Sequence, residues 1–194
     1  TFLGNNYTVN NIHINVEEND FYFGLFGSIG EHGAVQDLTI ESGIIHSTLW
    51  SGGIAAINSG IISNCRNINC SVNSWRYAGG ICGVNLNTIT NCSNLAEVYS
   101  SLCSGGICSY NYGTITNCTN RQGITSNKGC GGICGYNGGF ADISNCYNVK
   151  IGFIDNCTNH SSIMGDEKIG GIAGRNDGFI VNSRNNGVIN GDQQ

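Results

Sequence analysis

Apolar and polar positions alternate in short stretches, and the whole pattern recurs about every 26 residues. Each repeat opens on the phrase Gly-Gly-Ile. The isoleucines of this phrase follow one another by 27, 26, 26 and 39 residues; they are Ile54, Ile81, Ile107, Ile133 and Ile172. The last step is longer than the others by half a repeat. Residues 23–27, Phe-Gly-Leu-Phe-Gly, form a degenerate earlier copy.

A second phrase, Ile-x-Asn-Cys-x-Asn, follows each opening after about ten residues. Its copies span residues 62–67, 89–94, 115–120, 143–148 and, with serine in place of cysteine, 180–185. We interpret residues 143–148 as the regular copy and a further one, residues 154–159, as part of an insertion near residues 150–168. A third apolar position closes each unit at Val98, Ile124 and Val188.

Stretches of this length that are rich in Ile, Val and Thr and bounded by turn residues are typical of β-strands. The repeat therefore predicts an all-β chain: a parallel β-helix, or β-solenoid, with about three short strands in each coil of about 26 residues and about seven coils. Residues 1–194 form one domain in this interpretation, with degenerate leading coils over residues 1–50 and regular repeats over residues 51–194. We expect each isoleucine to lie directly above its copy.

The composition agrees with stacked coils. The chain has 194 residues, 30 glycines and no proline. Proline lacks the N–H that a strand donates to its neighbour, so a solenoid excludes it. Asparagine tolerates left-handed backbone at corners and can form ladders of side-chain amides when it recurs coil after coil.

Charge and hydropathy narrow the function classes. The net charge of −5 gives no basic surface for nucleic acid. No apolar run reaches the roughly 18 residues of a membrane-spanning helix. The start, Thr1-Phe2-Leu3-Gly4, is neither an initiator methionine nor a signal peptide. We therefore expect a piece of a longer protein that binds no nucleic acid and inserts into no membrane.

The combined phrase Gly-Gly-Ile-x-Gly-x-Asn-x-Gly-x-Ile-x-Asn-Cys-x-Asn resembles the GLUG-motif repeat of bacterial surface and secreted proteins. Residues 131–138, Gly-Gly-Ile-Cys-Gly-Tyr-Asn-Gly, carry the resemblance best, and residues 2–12 are similar to the coil that leads such repeats. The resemblance implies a β-solenoid of adhesin-like proteins or of some immunoglobulin A peptidases. It is specific for architecture more than for activity.

Catalytic patterns are missing from the sequence. Between Ser42 and Ala141 the only acidic residue is Glu97, whereas glycoside hydrolysis needs paired carboxylates. There is no His-Glu-x-x-His zinc motif. The histidines share no repeat position; they are His13, His32, His46 and His160. We therefore predict a protein that is not an enzyme and that carries no cofactor and no metal.

The 11 cysteines mostly recur at repeat positions. One set, Cys82, Cys108 and Cys134, shares its repeat position with Ala55 and Ala173. A second set, Cys65, Cys92, Cys118 and Cys146, shares its position with Ser183. Alanine and serine at the same positions favour small packing residues, with stacked free thiols. Disulfides that involve Cys70, Cys103 or Cys130 remain an alternative. Strict alternation after Ile81 would turn Cys82 outward, to an interface, whereas a bulge would bury it.

Four aromatic residues are candidates for surface contact. Tyr110 and Tyr136 occupy equivalent positions, and Trp50 and Trp75 fall just before successive Gly-Gly phrases, 25 residues apart. Such rings can stack on sugars or anchor an interface, or can simply stack on one another along the rod.

These observations favour a structural or adhesive solenoid segment of an extracellular or cell-surface protein, acting as a rigid stalk. Its partners would be the rest of the parent chain or identical copies end to end, which could form fibres, and a host glycan or surface protein. The alternatives are a solenoid that binds or processes carbohydrate, and an accessory domain of an immunoglobulin A peptidase.

Overall fold

The computed structural model describes residues 1–16, 22–138 and 151–191. Over these residues the chain winds into a β-solenoid of about six turns with about 27 residues in each. This confirms the predicted all-β parallel β-helix. None of the described segments forms a helix that could cross a membrane.

Four parallel sheets run along the rod, and we number them in the order in which the regular turns visit them. Sheet 1 contains Phe2–Leu3, Ala34–Gln36, Ile61–Ser63, Thr88–Thr90, Thr114–Thr116, Phe153–Asp155 and Phe179–Val181. Sheet 2 starts with Thr8–Asn15, Thr39–Ser47 and Arg66–Ser74. It continues with the strand pairs Ser93–Leu95 and Val98–Ser100, Thr119–Asn120 and Ile124–Ser126, Thr158–Asn159 and Ile163–Gly165, and Arg184–Asn185 and Ile189–Gly191.

The other two sheets have six strands each. Sheet 3 contains Tyr22–Phe23, Trp50–Gly52, Tyr77–Gly79, Cys103–Gly105, Gly129–Gly131 and Ile169–Gly170. Sheet 4 contains Phe26–Ile29, Ala55–Asn58, Cys82–Asn85, Cys108–Asn111, Cys134–Asn137 and Ala173–Asn176.

A regular turn thus has four or five strands, more than the three expected. The extra strand arises because the Gly-Gly-Ile phrase does not lie within one strand. Tyr77–Gly79 ends sheet 3, the chain bends at Gly80 and Ile81, and Cys82–Asn85 begins sheet 4. The sequence pattern shows one apolar stretch here because both strands bury their side chains.

The repeated isoleucines lie one above another, as predicted. In sheet 1, Ile62 pairs in register with Ile89, Ile89 with Ile115, Ile115 with Ile154, and Ile154 with Ile180. At the bend, the N–H of each Gly-Gly-Ile isoleucine donates to the carbonyl of the next one; the N–O distance is 2.9 Å from Ile54 to Ile81.

The position of the insertion differs from the prediction. Residues 154–159 were expected to be the additional copy, yet Ile154 pairs with both Ile115 and Ile180. Residues 153–165 therefore belong to the regular turn and not to an insertion near 150–168. Residues 143–148, including Cys146, lie outside the described residues. The third apolar position also shifts, because Ile189, and not Val188, pairs with Ile163.

Asparagine has the two roles expected of it. At the corner between sheets 1 and 2 a column of residues, exposed except for the half-buried Asp37, has positive φ angles of 47° to 55°: Asp37, Asn64, Asn91, Asn117, Asn156 and Asn182. Inside the rod, two further columns form amide ladders. In the first ladder the Nδ2 of Asn58 donates to Oδ1 of Asn85 at 2.9 Å, and the pattern continues through Asn111, Asn137 and Asn176 at 2.8 Å each.

The second ladder explains why the opening phrase needs a second glycine. Asn94, Asn120, Asn159 and Asn185 are joined by Nδ2–Oδ1 bonds of 2.7 to 2.9 Å. A Cβ on Gly106 would overlap the side chain of Asn120 and the carbonyl of Gly132, and Gly80, Gly132 and Gly171 are in the same situation. We call this the Gly–Asn contact. It fixes which residue stands at the bend.

The buried side chains form two clusters. The larger one lies between sheets 1, 2 and 4 and contains the isoleucine columns together with seven cysteines that repeat from turn to turn. The smaller one lies between the end of sheet 2 and sheet 3 and includes Val72, Ala78, Val98, Ile124 and Cys130. Both clusters run along the rod axis, so each turn buries its apolar side chains only against its neighbours.

Candidate functional site

The aromatic residues proposed for surface contact form a cluster where sheet 3 meets sheet 4. Trp50 and Tyr77 are in register on sheet 3, and their rings stack with centroids 4.0 Å apart. Tyr110 and Tyr136 are in register on sheet 4, and their rings stack at 4.9 Å. Tyr110 also meets both Trp50 and Tyr77 edge to face at 5.3 Å. We call these four residues the aromatic cluster.

Trp75 does not belong to this cluster, and its predicted equivalence with Trp50 is wrong. Ser74 pairs with Ser47, so Trp75 lies one residue beyond the strand and is 69% exposed. Tyr77 occupies the position that corresponds to Trp50. Sequence reasoning missed it because it matched the two tryptophans by residue type, although the step of 27 residues between the flanking isoleucines identifies Tyr77.

The cluster depends on a glycine that the sequence did not single out. A Cβ added to Gly129 would lie 2.8 Å from the ring of Tyr136. Gly129 pairs with Cys103, which itself pairs with Tyr77, so the sheet 3 column runs Trp50, Tyr77, Cys103, Gly129. Side-chain size falls along this column, and the tyrosines of sheet 4 fill the space that it leaves.

Stacking leaves the rings half-buried. Burial raises the pKa of the Tyr110 hydroxyl, with neighbouring Cys103 adding to the effect, and burial likewise raises the pKa of Tyr77 and of Tyr136. These phenols are neutral hydrogen-bonding groups at any physiological pH. The ring faces contact one another across the two sheets, so the cluster serves first to tie sheet 3 to sheet 4.

The first cysteine column lies in the interior. Cys82, Cys108 and Cys134 are fully buried and pair in register on sheet 4, with Ala55 and Ala173 at either end. The bend at Gly80 and Ile81 breaks strict alternation, so the isoleucine and the following cysteine both face inward. This answers the question that the sequence left open. The Sγ of Cys108 donates to the carbonyl of Tyr110 at 2.9 Å.

The second cysteine column stands beside the corner asparagines. Cys157 continues the column of Cys65, Cys92 and Cys118. Cys146, which the sequence placed in this column, lies outside the described residues. The Sγ of Cys118 donates to the carbonyl of Thr116 at 3.2 Å, and the N–H of Cys92 donates to that Sγ at 3.4 Å. Ser183 makes the same two contacts through its hydroxyl, to the carbonyl of Val181 and from the N–H of Cys157. The position therefore requires a small side chain that both donates and accepts.

The ten cysteines among the described residues are all buried thiols. Burial raises the pKa of Cys70 to about 11 and that of Cys130 to about 12, and it raises the pKa of Cys103 further. Thiolate is the reactive form of cysteine. Sulfur here acts as a packing atom and a weak hydrogen-bond donor.

Charged groups do not gather within the described ranges. No set of three or more His, Cys, Asp or Glu side chains there could hold a metal ion. The ion pair that these ranges contain joins Nε of Arg175 to Oδ2 of Asp177 at 2.7 Å, on the surface. The terminal acids Glu17, Glu18 and Asp20 lie outside the described residues.

Comparison with known proteins adds no family: the chain matches no family model, no curated protein and no solved structure. The resemblance to the GLUG repeat therefore stays a prediction.

Proposed function

We propose that this segment is a rigid, non-enzymatic scaffold that holds other parts of an extracellular or cell-surface protein at a fixed distance. The observation that carries the proposal is the unbroken register of sheet 1, in which seven strands stack without a slip. At about 4.8 Å per strand, the first and last strands stand about 29 Å apart.

Several independent contacts oppose bending of this rod. Each turn is bonded to the next through four sheets, and two buried amide ladders and the Gly–Asn contact add to these bonds. Bending the rod would lengthen the backbone hydrogen bonds between turns on one side of the rod and compress the stacked side chains on the other side. Since neighbouring turns interact only with each other, length scales with the number of turns.

The adhesive and cell-surface parts of the proposal are supported by the resemblance to the GLUG repeat. The buried thiols are compatible with an oxidising location, because an oxidant in solution reaches only exposed thiolate. A host glycan or surface protein remains the proposed ligand of such a segment.

Distance measurement between two spin labels tests rigidity. Gln36 and Val181 are both outward-facing members of one column of sheet 1, five strand spacings apart. The ten thiols among the described residues are buried, so with Cys146→Ser as background Gln36→Cys and Val181→Cys can be labelled selectively. We expect one narrow distance distribution that matches about 24 Å between the backbones. A broad distribution would contradict a rigid spacer.

Deletion of one turn tests whether the rod sets distance. Removing residues 82–107 joins Ile81 to Cys108, a junction equivalent to that of Ile107 with Cys108. The shortened chain should fold, and the distance between the same two labels should fall by one strand spacing, about 4.8 Å. An unchanged distance would refute the proposal, and deletion of residues 82–101, which is not a whole turn, provides a control that should unfold.

Carbohydrate binding is the second candidate, and the exposed ring of Trp75 is the observation that favours it. The aromatic cluster favours it less, because its ring faces are occupied. A glycan array compares the natural chain with Trp75→Ala and with Tyr136→Phe. Loss of signal with Trp75→Ala alone would support this function, and an array without any signal would remove it.

A further inference from the structure

The aromatic cluster holds one pair of tyrosines in a geometry that suits oxidative coupling. Tyr110 and Tyr136 are partners in register on adjacent strands of sheet 4. Their ring centroids are 4.9 Å apart, which is about one strand spacing, and the ring planes meet at 26°. The two rings therefore lie one above the other along the rod, with their π orbitals directed at each other.

The other tyrosine neighbours of Tyr110 are placed less favourably. Tyr77 meets Tyr110 at 85° with centroids 5.3 Å apart, so the π orbitals of these two rings are nearly perpendicular. Tyr112 is stacked on Tyr110, but at 6.2 Å. Coupling of two tyrosine radicals forms a carbon–carbon bond from two π orbitals that must overlap. Of these three pairs, Tyr110 and Tyr136 meet that requirement best.

The surroundings of this pair favour coupling over other reactions. Trp50 stacks on Tyr77 at 4.0 Å and contacts Tyr110 edge to face at 5.3 Å. A tryptophan radical is a stronger oxidant than a tyrosine radical, so Trp50, once oxidised, takes an electron from the tyrosines. Burial raises the pKa of the Cys103 thiol, which is in register with Tyr77. This thiol stays protonated and does not reduce the radicals as a thiolate would.

We propose that Tyr110 and Tyr136 form an oxidative modification site, at which a one-electron oxidant, the haem of a peroxidase charged by hydrogen peroxide, joins the two rings as dityrosine. Each phenol gives one electron and one proton to the oxidant. The unpaired electron of each ring spreads to the two carbons beside the hydroxyl-bearing carbon, and one such carbon of each ring forms the new bond. The hydrogens on the bonded carbons then move to the phenolic oxygens. The two electrons and two protons removed reduce one hydrogen peroxide to two waters.

Gly129 selects the carbon of Tyr136 that reacts. A Cβ on Gly129 would lie 2.8 Å from Cε2 of Tyr136, so this edge of the ring faces the backbone of sheet 3, and Cε1 is left for coupling. The new bond goes beyond the scaffold function because it ties one turn covalently to the next. Closing a loop one turn long restricts the unfolded chain, and we expect the cross-link to raise the midpoint of thermal unfolding by about 5–10 °C.

Photo-oxidation of the folded chain tests the proposal. The probe is a ruthenium tris-bipyridine photo-oxidant with persulfate, which accepts the two electrons and becomes two sulfate ions. The chain carries Cys146→Ser, so that every remaining thiol is buried. Trypsin places Tyr110 on the peptide of residues 77–121 and Tyr136 on that of residues 129–150. The proposed cross-link joins these two peptides, whereas coupling of Tyr110 to its other tyrosine neighbours stays within the first peptide.

We expect the joined peptides, together with dityrosine fluorescence, in the monomeric fraction of the oxidised chain. Tyr136→Phe should abolish the joined peptides, and the matched control Tyr77→Phe, in the same cluster, should leave them; both variants keep the ring and its packing. Absence of the joined peptides would overturn the proposal. Their persistence in Tyr136→Phe, or equal formation in the chain unfolded by urea, would overturn it as well. The spin-label distance tests the scaffold function separately.

Discussion

The first amide ladder predicts a sharp difference between an inner and an outer asparagine. Asn111 is fully buried in the middle of the ladder, whereas Asn176 is exposed at its end. We consider replacement of each by leucine, which has a similar volume and keeps the packing nearly unchanged. The two variants then differ mainly in the hydrogen bonds that they leave without a partner.

At position 111 the replacement removes four bonds. Oδ1 of Asn111 accepts from Asn85 at 2.8 Å and from the N–H of Gly113 at 3.2 Å, and its Nδ2 donates to Oδ1 of Asn137 at 2.8 Å and to a carbonyl at 3.3 Å. Asn85 keeps two backbone acceptors. Within the described ranges the N–H of Gly113 and Oδ1 of Asn137 have no other partner, at about 1–3 kcal/mol apiece, so Asn111→Leu should lower the free energy of unfolding by about 2–6 kcal/mol.

At position 176 the N–H of Gly178 is exposed and can bond to water, and Nδ2 of Asn137 keeps two backbone acceptors. We therefore expect Asn176→Leu to cost less than about 1 kcal/mol. Urea unfolding followed by circular dichroism measures both values. The double variant Asn85→Leu and Asn111→Leu should cost less than the sum of its two single changes, because it removes both members of one bond. Equal costs at positions 111 and 176 would refute the account of the ladder as a buried and satisfied network.

Three further predictions concern the glycines and the cysteines. Gly106→Ala should prevent folding, because the added Cβ overlaps the side chain of Asn120 and a backbone carbonyl. Gly123→Ala should fold normally, because no atom lies within 4 Å of the added Cβ. Soluble yield and circular dichroism distinguish the two variants. Cys118→Ser should cost under about 2 kcal/mol in urea unfolding because Ser183 already makes the equivalent bonds, while Cys118→Leu should cost more through overpacking. Stability should fall as the pH rises from about 9 toward about 11, since burial holds the pKa of Cys70 at about 11 in the folded state and an unfolded thiol ionises first. Because burial also raises the pKa of Cys130, the stability of Cys70→Ala should fall less steeply and not stay level; thermal midpoints from about pH 8 to 11 that do not fall would contradict this.

The sequence allowed the solenoid to be predicted because periodic features reported on it several times over. Three features predicted stacked turns: the spacing of the Gly-Gly-Ile isoleucines, the absence of proline and the recurring asparagines. The isoleucine columns and the amide ladders confirm this prediction. Each of these signals depends on residue type at a fixed step. None of them depends on local geometry within a turn.

Features that depend on local geometry were predicted less well. The inward direction of Cys82 follows from the bend at Gly80 and Ile81, which alternation alone cannot show. The insertion was misplaced because residues 143–148 and 154–159 carry the same phrase. The sequence pattern alone therefore does not show which of the two segments forms the strands of the regular turn. Trp75 was matched to Trp50 by residue type, although the register matches Tyr77.

Apolar burial and steric fit at the bend depend on different residues in this rod. The isoleucine columns bury most of the apolar surface. The Gly–Asn contact adds a steric requirement at the bend, because any side chain in place of Gly106 overlaps Asn120. Ile89→Val should therefore lower the free energy of unfolding by about 1 kcal/mol and keep the register, whereas Gly106→Ala should destroy the fold although it adds a single methyl group.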